Sequence, residues 1–376
     1  MTRLRDALNG LAEEAPPANL ADLADLAMVG HRRRRRSTAT LAAVATIAVL
    51  AGVTATVLMA GPRRTPAAAP QEAPVPVLPA GKVGTLSHAY LETCLPPKGK
   101  DPLPDCVPDE WRVVTSAGKT YRVPQALGTT ARNHRVPVAV SRDGRMFAYY
   151  DKDAEAHVVR DMVTGVETVS AAKVKEERLG VGSMLVVSDD GRHLAFDPRE
   201  GTKDPGLLID VRTGGTVPVP GVYEPVAIKD GVAELVRYRR TDLLFMPVTG
   251  GGRPVRFDGV FIMFSELAPD GRTVVAFEFP PGKKTQPEYA TRRLTVLDTR
   301  TGRTLRKVSV KGLPKRAGID DATIWQSPSE VTLAVGVGPD TRAYAVDVRT
   351  GRARPVAKYP GRSRGQLVLP GAAGGL

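Results

Sequence analysis

The chain has 376 residues, 42% of them apolar and 25% charged, a balance that supplies a sizeable core and sets aside a wholly disordered polymer. The formal net charge is +13, and residues 1–60, with seven Arg and five Asp or Glu, account for only +2 of it. Residue 61 onward carries 46 basic and 35 acidic residues. Such a charge reads first as a solvated, Arg-rich surface, and it can also meet nucleic acid, anionic lipid heads or an acidic polymer. The cations are spread along the chain and no basic recognition helix stands out, so a nucleic-acid partner is set aside.

In chain order, residues 1–36 read as a short cytoplasmic tail. Leu4, Leu8 and Leu11 fall at helical spacing, and Leu20, Leu23 and Leu26 outline a second short amphipathic piece. Residues 37–60 follow as a transmembrane helix. The 23 residues from Thr38 to Ala60 carry no charge, enough to cross a bilayer core as a helix that satisfies its own backbone. Arg32, Arg33, Arg34, Arg35 and Arg36 stand just before it, and only Arg63 and Arg64 stand close behind. The larger basic cluster predicts a cytoplasmic N-terminus with the bulk of the chain outside the cell membrane, in a single pass. A cleaved secretory signal is the rival; it has a shorter basic region and an apolar core of about 7–15 residues.

Residues 61–82 are rich in Pro and Ala and read as an extended, semi-rigid linker. A globular domain is predicted over 83–372. Cys94 and Cys106 are the only cysteines, and an even count on the outer side of a membrane predicts a disulfide between them.

Internal repeats then decide the fold. One element is Asp-x-x-Thr-Gly, at Asp161 to Gly165, Asp210 to Gly214, Asp298 to Gly302 and Asp347 to Gly351, with a weaker copy ending at Gly250 and a degenerate one at Gly118. These glycines are spaced 47, 49, 36, 52 and 49 apart, and the long gap holds a polar insert, Pro280 to Arg292, that reads as a protruding loop. The other element is an Asp-Gly-Arg turn, at Asp143-Gly144-Arg145, Asp190-Gly191-Arg192 and Asp270-Gly271-Arg272. Looser copies stand at Lys229-Asp-Gly231 and Ser327 to Glu330. Glycine supplies the positive φ that such turns need, and short Asp or Thr side chains bond turn amides. Each unit therefore reads strand, Asp-Gly turn, strand, loop, strand, Thr-Gly turn, strand. A four-stranded unit repeating every 40–50 residues predicts an all-β propeller. Six hairpins predict six blades, with seven as the alternative. The first unit lacks a strand before Trp111, and Gln366 to Leu369 is placed to supply it and close the ring.

The units Ser-x-Asp-Gly-Arg-x-[Leu/Phe]-Ala-[Phe/Tyr] and Asp-x-x-Thr-Gly resemble the repeats of TolB-like and bacterial WD-repeat-like propellers, although no Trp-Asp dipeptide occurs. The whole layout is similar to membrane proteins of high-GC Gram-positive bacteria. The resemblance implies an interaction platform and hands on no catalytic residues.

No catalytic constellation emerges from the residues. There is no Gly-x-Ser-x-Gly elbow and no His-Glu-x-x-His helix. The five histidines are 31, 88, 134, 157 and 193, and His193 reads as a strand residue. Asp151, Asp153 and Glu155 lack the glycine and distal Glu of a calcium loop and read as a solvated cluster. The expectation is a membrane-anchored binding or scaffold module with no cofactor, metal or catalytic activity. Its partner would be a protein or an anionic cell-envelope polymer. A transmembrane regulator whose tail docks a cytoplasmic protein, and a propeller hydrolase or lyase, are the alternatives.

Overall fold

The computed structural model describes residues 74–94, 106–200, 202–238, 240–279, 292–315, 317–361 and 366–375. The tail, the anchor with Arg32 to Arg36, most of the linker and most of the 280–292 insert lie outside these. Among the described residues no helix is long and apolar enough to cross a membrane.

Strands β1–β24, numbered in chain order, form six four-stranded antiparallel sheets. Blade 1 combines β1 (Leu86–Glu92), β2 (Glu110–Thr115) and β3 (Thr120–Arg122) with β24 (Leu367–Val368), which pairs with β1 as the innermost strand. Blade 2 runs outward as β4 (Ala139–Val140), β5 (Met146–Asp151), β6 (Ala156–Asp161) and β7 (Glu167–Lys173). Blade 3 is β8 (Met184–Val187), β9 (His193–Asp197), β10 (Gly206–Asp210) and β11 (Thr216–Val219). Blade 4 is β12 (Glu224–Lys229), β13 (Val232–Arg237), β14 (Asp242–Pro247) and β15 (Arg253–Arg256). Blade 5 is β16 (Phe261–Ile262), β17 (Thr273–Glu278), β18 (Arg293–Asp298) and β19 (Thr304–Ser309). Blade 6 is β20 (Gly318–Ser327), β21 (Glu330–Val337), β22 (Asp340–Asp347) and β23 (Ala353–Tyr359).

Six apolar clusters fill the six gaps between blades. Trp111 and Val113 of blade 1 meet Phe147 and Tyr149 of blade 2. Tyr150 and Val159 meet Leu185 and Phe196 of blade 3, and Leu208 meets Leu235 of blade 4. Leu243 meets Val274 of blade 5, and Val296 meets Leu333 of blade 6. Ala343 and Tyr359 of blade 6 pack with Leu367 and Leu369 beside blade 1, so the ring closes. The second and third strands of a blade face neighbours on both sides and read as near-continuous apolar runs, whereas outer strands such as β7 are largely exposed. The fold is a six-bladed β-propeller.

The two repeated motifs meet within a blade. The Arg that follows the Asp-Gly turn pairs with the Asp that opens the Thr-Gly turn: Arg145 with Asp161 at 2.7 Å, Arg192 with Asp210 at 2.9 Å and Arg272 with Asp298 at 2.6 Å. Both turns therefore lie on one face of the ring. The same aspartates also cap their own turns, Asp161 accepting from the Val163 and Thr164 amides and Asp210 from those of Arg212 and Thr213, as Asp347 does from Arg349 and Thr350 in blade 6. The Arg145 guanidinium pulls the Asp161 carboxyl down to about 2, and Arg272 lowers that of Asp298. Gly144, Gly165, Gly191, Gly214, Gly250, Gly271, Gly302 and Gly351 have φ between +62° and +97°. Asp143 accepts from Ser141 Oγ and the Arg145 amide, and Asp190 from Ser188 Oγ and the Arg192 amide. Asp270 accepts from the Arg272 and Thr273 amides. The motif residues are thus fully used in building turns. Asp298→Ala is expected to cost about 1–2 kcal/mol in urea unfolding, since it removes a cap and an ion pair together. Arg300, exposed and with no ion pair among the described residues, is expected on change to Ala to stay within about 0.5 kcal/mol of the parent.

The compact unit runs from Val75, so it takes in residues 75–82 that composition assigns to the linker. Val77 bridges to Arg122 on the outer edge of β3, and Leu78 is buried. Arg160, itself buried, donates to the carbonyls of Pro79 and Gly81. A long cation with its guanidinium held by backbone oxygens pins the entering chain between blades 1 and 2.

Candidate functional site

The first place to look in such a ring is its axis, and here it is occupied. After β24 the chain turns back through Pro370 to Gly375. The Gly371 amide donates to Val140 O of blade 2, and Gly374 exchanges both backbone hydrogen bonds with Leu185 of blade 3. Ala372 packs on the cluster beside blade 6 and Ala373 on the cluster between blades 3 and 4. The segment therefore touches inner strands on opposite sides of the ring. Only small residues fit: a Cβ on Gly374 would run into the Val138 carbonyl, and one on Gly375 into that of Ser183.

A polar cluster lies at the turn-face end of the axis. Arg142, in the blade 2 turn, reaches across to Glu266 of blade 5 at 3.3 Å, and its amide donates to Asp189 of blade 3 at 3.0 Å. Glu266 also accepts the Trp325 amide of blade 6, and its carbonyl accepts the Trp325 indole N–H, both at 2.9 Å. Lys229 of blade 4 donates to Leu267 O at 3.2 Å. Burial raises the carboxyls of Glu266 and Asp189, and it pushes that of fully enclosed Glu234 well above the usual range. Arg142 and its two acceptors tie blades 2, 3, 5 and 6 together here, and Lys229 of blade 4 bonds the residue next to Glu266. Among the described residues, no three His, Cys, Asp or Glu side chains stand close enough to share a metal ion. Asp151 of the acidic loop accepts from the Ala154 amide instead.

Cys94 and Cys106 are joined in a disulfide that closes the loop between β1 and β2. Beside it, buried Arg112 pairs with Glu92 at 3.0 Å, and Glu92 accepts the amides of Thr93 and Cys94. His157 has the environment that sequence reading did not single out. It is fully buried on β6 between Tyr150 and Phe196, with ring centroids 5.6 and 4.8 Å away, and neither nitrogen has a hydrogen-bond partner among the described residues. Desolvation lowers its pKa to about 4. His193 is partly exposed in β9, also with a lowered pKa through burial. The position of His157 in a strand buried on both faces is what sets it apart, since every residue of AHVVRD up to Arg160 is buried.

The outer strands differ around the ring. Those of blades 4 to 6 are β15 (RPVR), β19 (TLRKVS) and β23 (ARPVAKY), with six Lys or Arg and no acid. Those of blades 1 to 3 are β3 (TYR), whose Arg122 pairs with Glu110 at 2.8 Å, β7 (ETVSAAK), with one acid and one base, and β11 (TVPV), with no charge.

The class is thus an all-β, six-bladed propeller with a filled axis. No family model matches the chain, and no curated protein matches its sequence. Among solved structures it is similar to TolB from Acinetobacter baumannii at 14% identity and a TM-score of 0.46, over 73% of this chain and 64% of that one. It is similar to the dihydro-heme d1 dehydrogenase NirN in complex with DHE at 14% identity and 0.41, over 76% and 57%. A third likeness is the Cps50 (Swd1) β-propeller domain of Myceliophteria thermophila at 15% identity and 0.37, over 61% and 73%. The matches to TolB and NirN span less than two thirds of those chains.

Proposed function

We propose that the chain is a membrane-anchored binding module that presents its propeller outside the cytoplasm and works through its outer surface without catalysing a reaction. The filled axis carries this reading. A small substrate held among the inner strands would compete with residues 370–375, so the surface open to a partner is the rim and the turn face. The uncharged stretch from Thr38 to Ala60, with five arginines before it, supports the anchor and its direction. The disulfide supports an oxidising compartment.

Labelling of Cys94 and Cys106 in intact cells with a membrane-impermeant thiol reagent tests the reading. Modification is expected only after mild reduction. Modification only once the cells are broken open would put the propeller on the cytoplasmic side and overturn it. Cys94→Ser with Cys106→Ser is expected to lower stability by about 2–3 kcal/mol in urea, the loop-closure value for a short ring.

A further inference from the structure

The geometry points to a continuous basic band around the rim of blades 4 to 6 that binds a flexible, linear polyanion bearing regularly spaced phosphates. This rests on the reading of the propeller as a binding module and names its partner by chemistry. Segments 253–256, 300–311 and 349–358 hold eight Arg and three Lys and no Asp or Glu. They are distant in sequence yet adjoin in space. Gly302, in the blade 5 turn, sits so close to Arg256 of β15 that a Cβ would strike the Arg256 carbonyl, and Gly351 stands in the same way to Ser309 of β19. Lys311 and Arg352 form a backbone bridge between blades 5 and 6. The Arg300–Arg303 turn therefore joins β15 to β19, and the Arg349–Arg352 turn joins β19 to β23.

Several of these cations are uncommitted. Arg253, Arg256, Arg300, Arg303, Arg306 and Arg352 are exposed and form no ion pair among the described residues. By contrast, Lys307 pairs with Glu278, Arg349 with Asp347, Arg354 with Glu330 and Lys358 with Asp340. A run of like charges within a Debye length repels itself, and an anion relieves that repulsion. Arginine predominates, and its planar fork meets two phosphate oxygens at once, which an ammonium cannot do.

The curvature selects the form of the partner. Six blades share the full circle, so the outer strands of three successive blades face directions spread over about a third of a turn. A flat bilayer meets one such strand at a time. A flexible chain can follow all three. Blades 4 and 5 of the band lie across the ring from blades 1 and 2, where residues 77–81 enter.

The test measures binding of the full-length chain, in a neutral detergent, to long-chain polyphosphate over a range of salt concentrations. The triple variant R303E/R306E/R352E removes three unpaired cations and should melt as the parent does. It is expected to bind at least tenfold more weakly, and the slope of log K against log salt should fall by about two. R212E, on the blade 3 turn outside the band, should bind as the parent does. In the same detergent, micelles doped with anionic phospholipid should displace polyphosphate from the parent poorly. Equal polyphosphate binding by the triple variant would overturn the proposal. So would ready displacement of polyphosphate by the lipid-doped micelles, which would make the band a membrane-docking face. Either failure leaves the thiol-labelling result untouched, so the binding partner and the outer location stand or fall separately.

Discussion

Deletion of residues 366–376 is expected to abolish cooperative unfolding of the propeller. The deletion removes β24, the inner strand of blade 1, with Leu367, Val368 and Leu369, all at least nine-tenths buried. Burying three such side chains is worth about 6 kcal/mol, comparable to the whole stability of an ordinary domain. The inner edge of β1 would also lose its pairing partner and become a template for aggregation. Urea unfolding followed by far-UV circular dichroism is the measurement, and a truncated chain with the parent midpoint would refute the closure argument. Gly374→Val separates the two parts of the segment. It keeps β24 but forces the following residues out of the axis, because the added carbons meet the Val138 carbonyl. That variant is expected to stay folded with a lowered midpoint. If its midpoint matched the parent, the contacts of residues 371–375 with the inner strands would contribute little to stability.

Acid is expected to weaken the fold through His157. Its pKa is about 4 in the folded chain and 6.5 when unfolded. Above pH 6.5 the ring is neutral in both states and its contribution is constant. As pH falls below 6.5, the unfolded chain takes up a proton that the buried ring refuses, so stability drops. The loss is complete once pH passes below about 4 and amounts to about 3 kcal/mol. Asp197 acts with the opposite sign. Burial raises its carboxyl from 3.8 to about 8, so its contribution is present in acid and fades as pH rises through that window. The measurement must therefore be a difference between the parent and His157→Leu across pH 4 to 7. The variant is expected to gain on the parent steadily as pH falls. A constant difference would mean that His157 is protonated, or reached by water, in the folded state.

Much of the architecture was legible in the chain itself, because it is written in local chemistry. A turn with positive φ demands Gly144 or Gly302 whatever surrounds it, Asp161 caps the amides two and three residues away, and Asp298 caps the one two residues away. The count and spacing of these turns predicted six blades with seven as the alternative, ring closure gave six, and the strand missing before Trp111 pointed to Gln366–Leu369. The Arg–Asp pairs had a sequence signal too. Blade 4 has Val232 after its Asp-Gly turn and Met246 in place of the Asp, so both partners are lost together. The basic band had none, since its three segments adjoin only because each turn glycine packs against the preceding outer strand.

The remaining features were decided by tertiary packing. Pro-Gly-Ala-Ala-Gly-Gly reads as a loop by composition, yet smallness is what lets residues 370–375 lie within the axis. Residues 75–82 read as linker, yet Arg160 holds two of their carbonyls. His157 and His193 look alike in sequence, both in strands that face a neighbouring blade, and only the placing of Tyr150 and Phe196 makes one of them dry. Turn identity follows from contacts within a few residues, which the sequence specifies. Axis, entry point and band depend on residues brought together by ring closure, which local patterns do not encode.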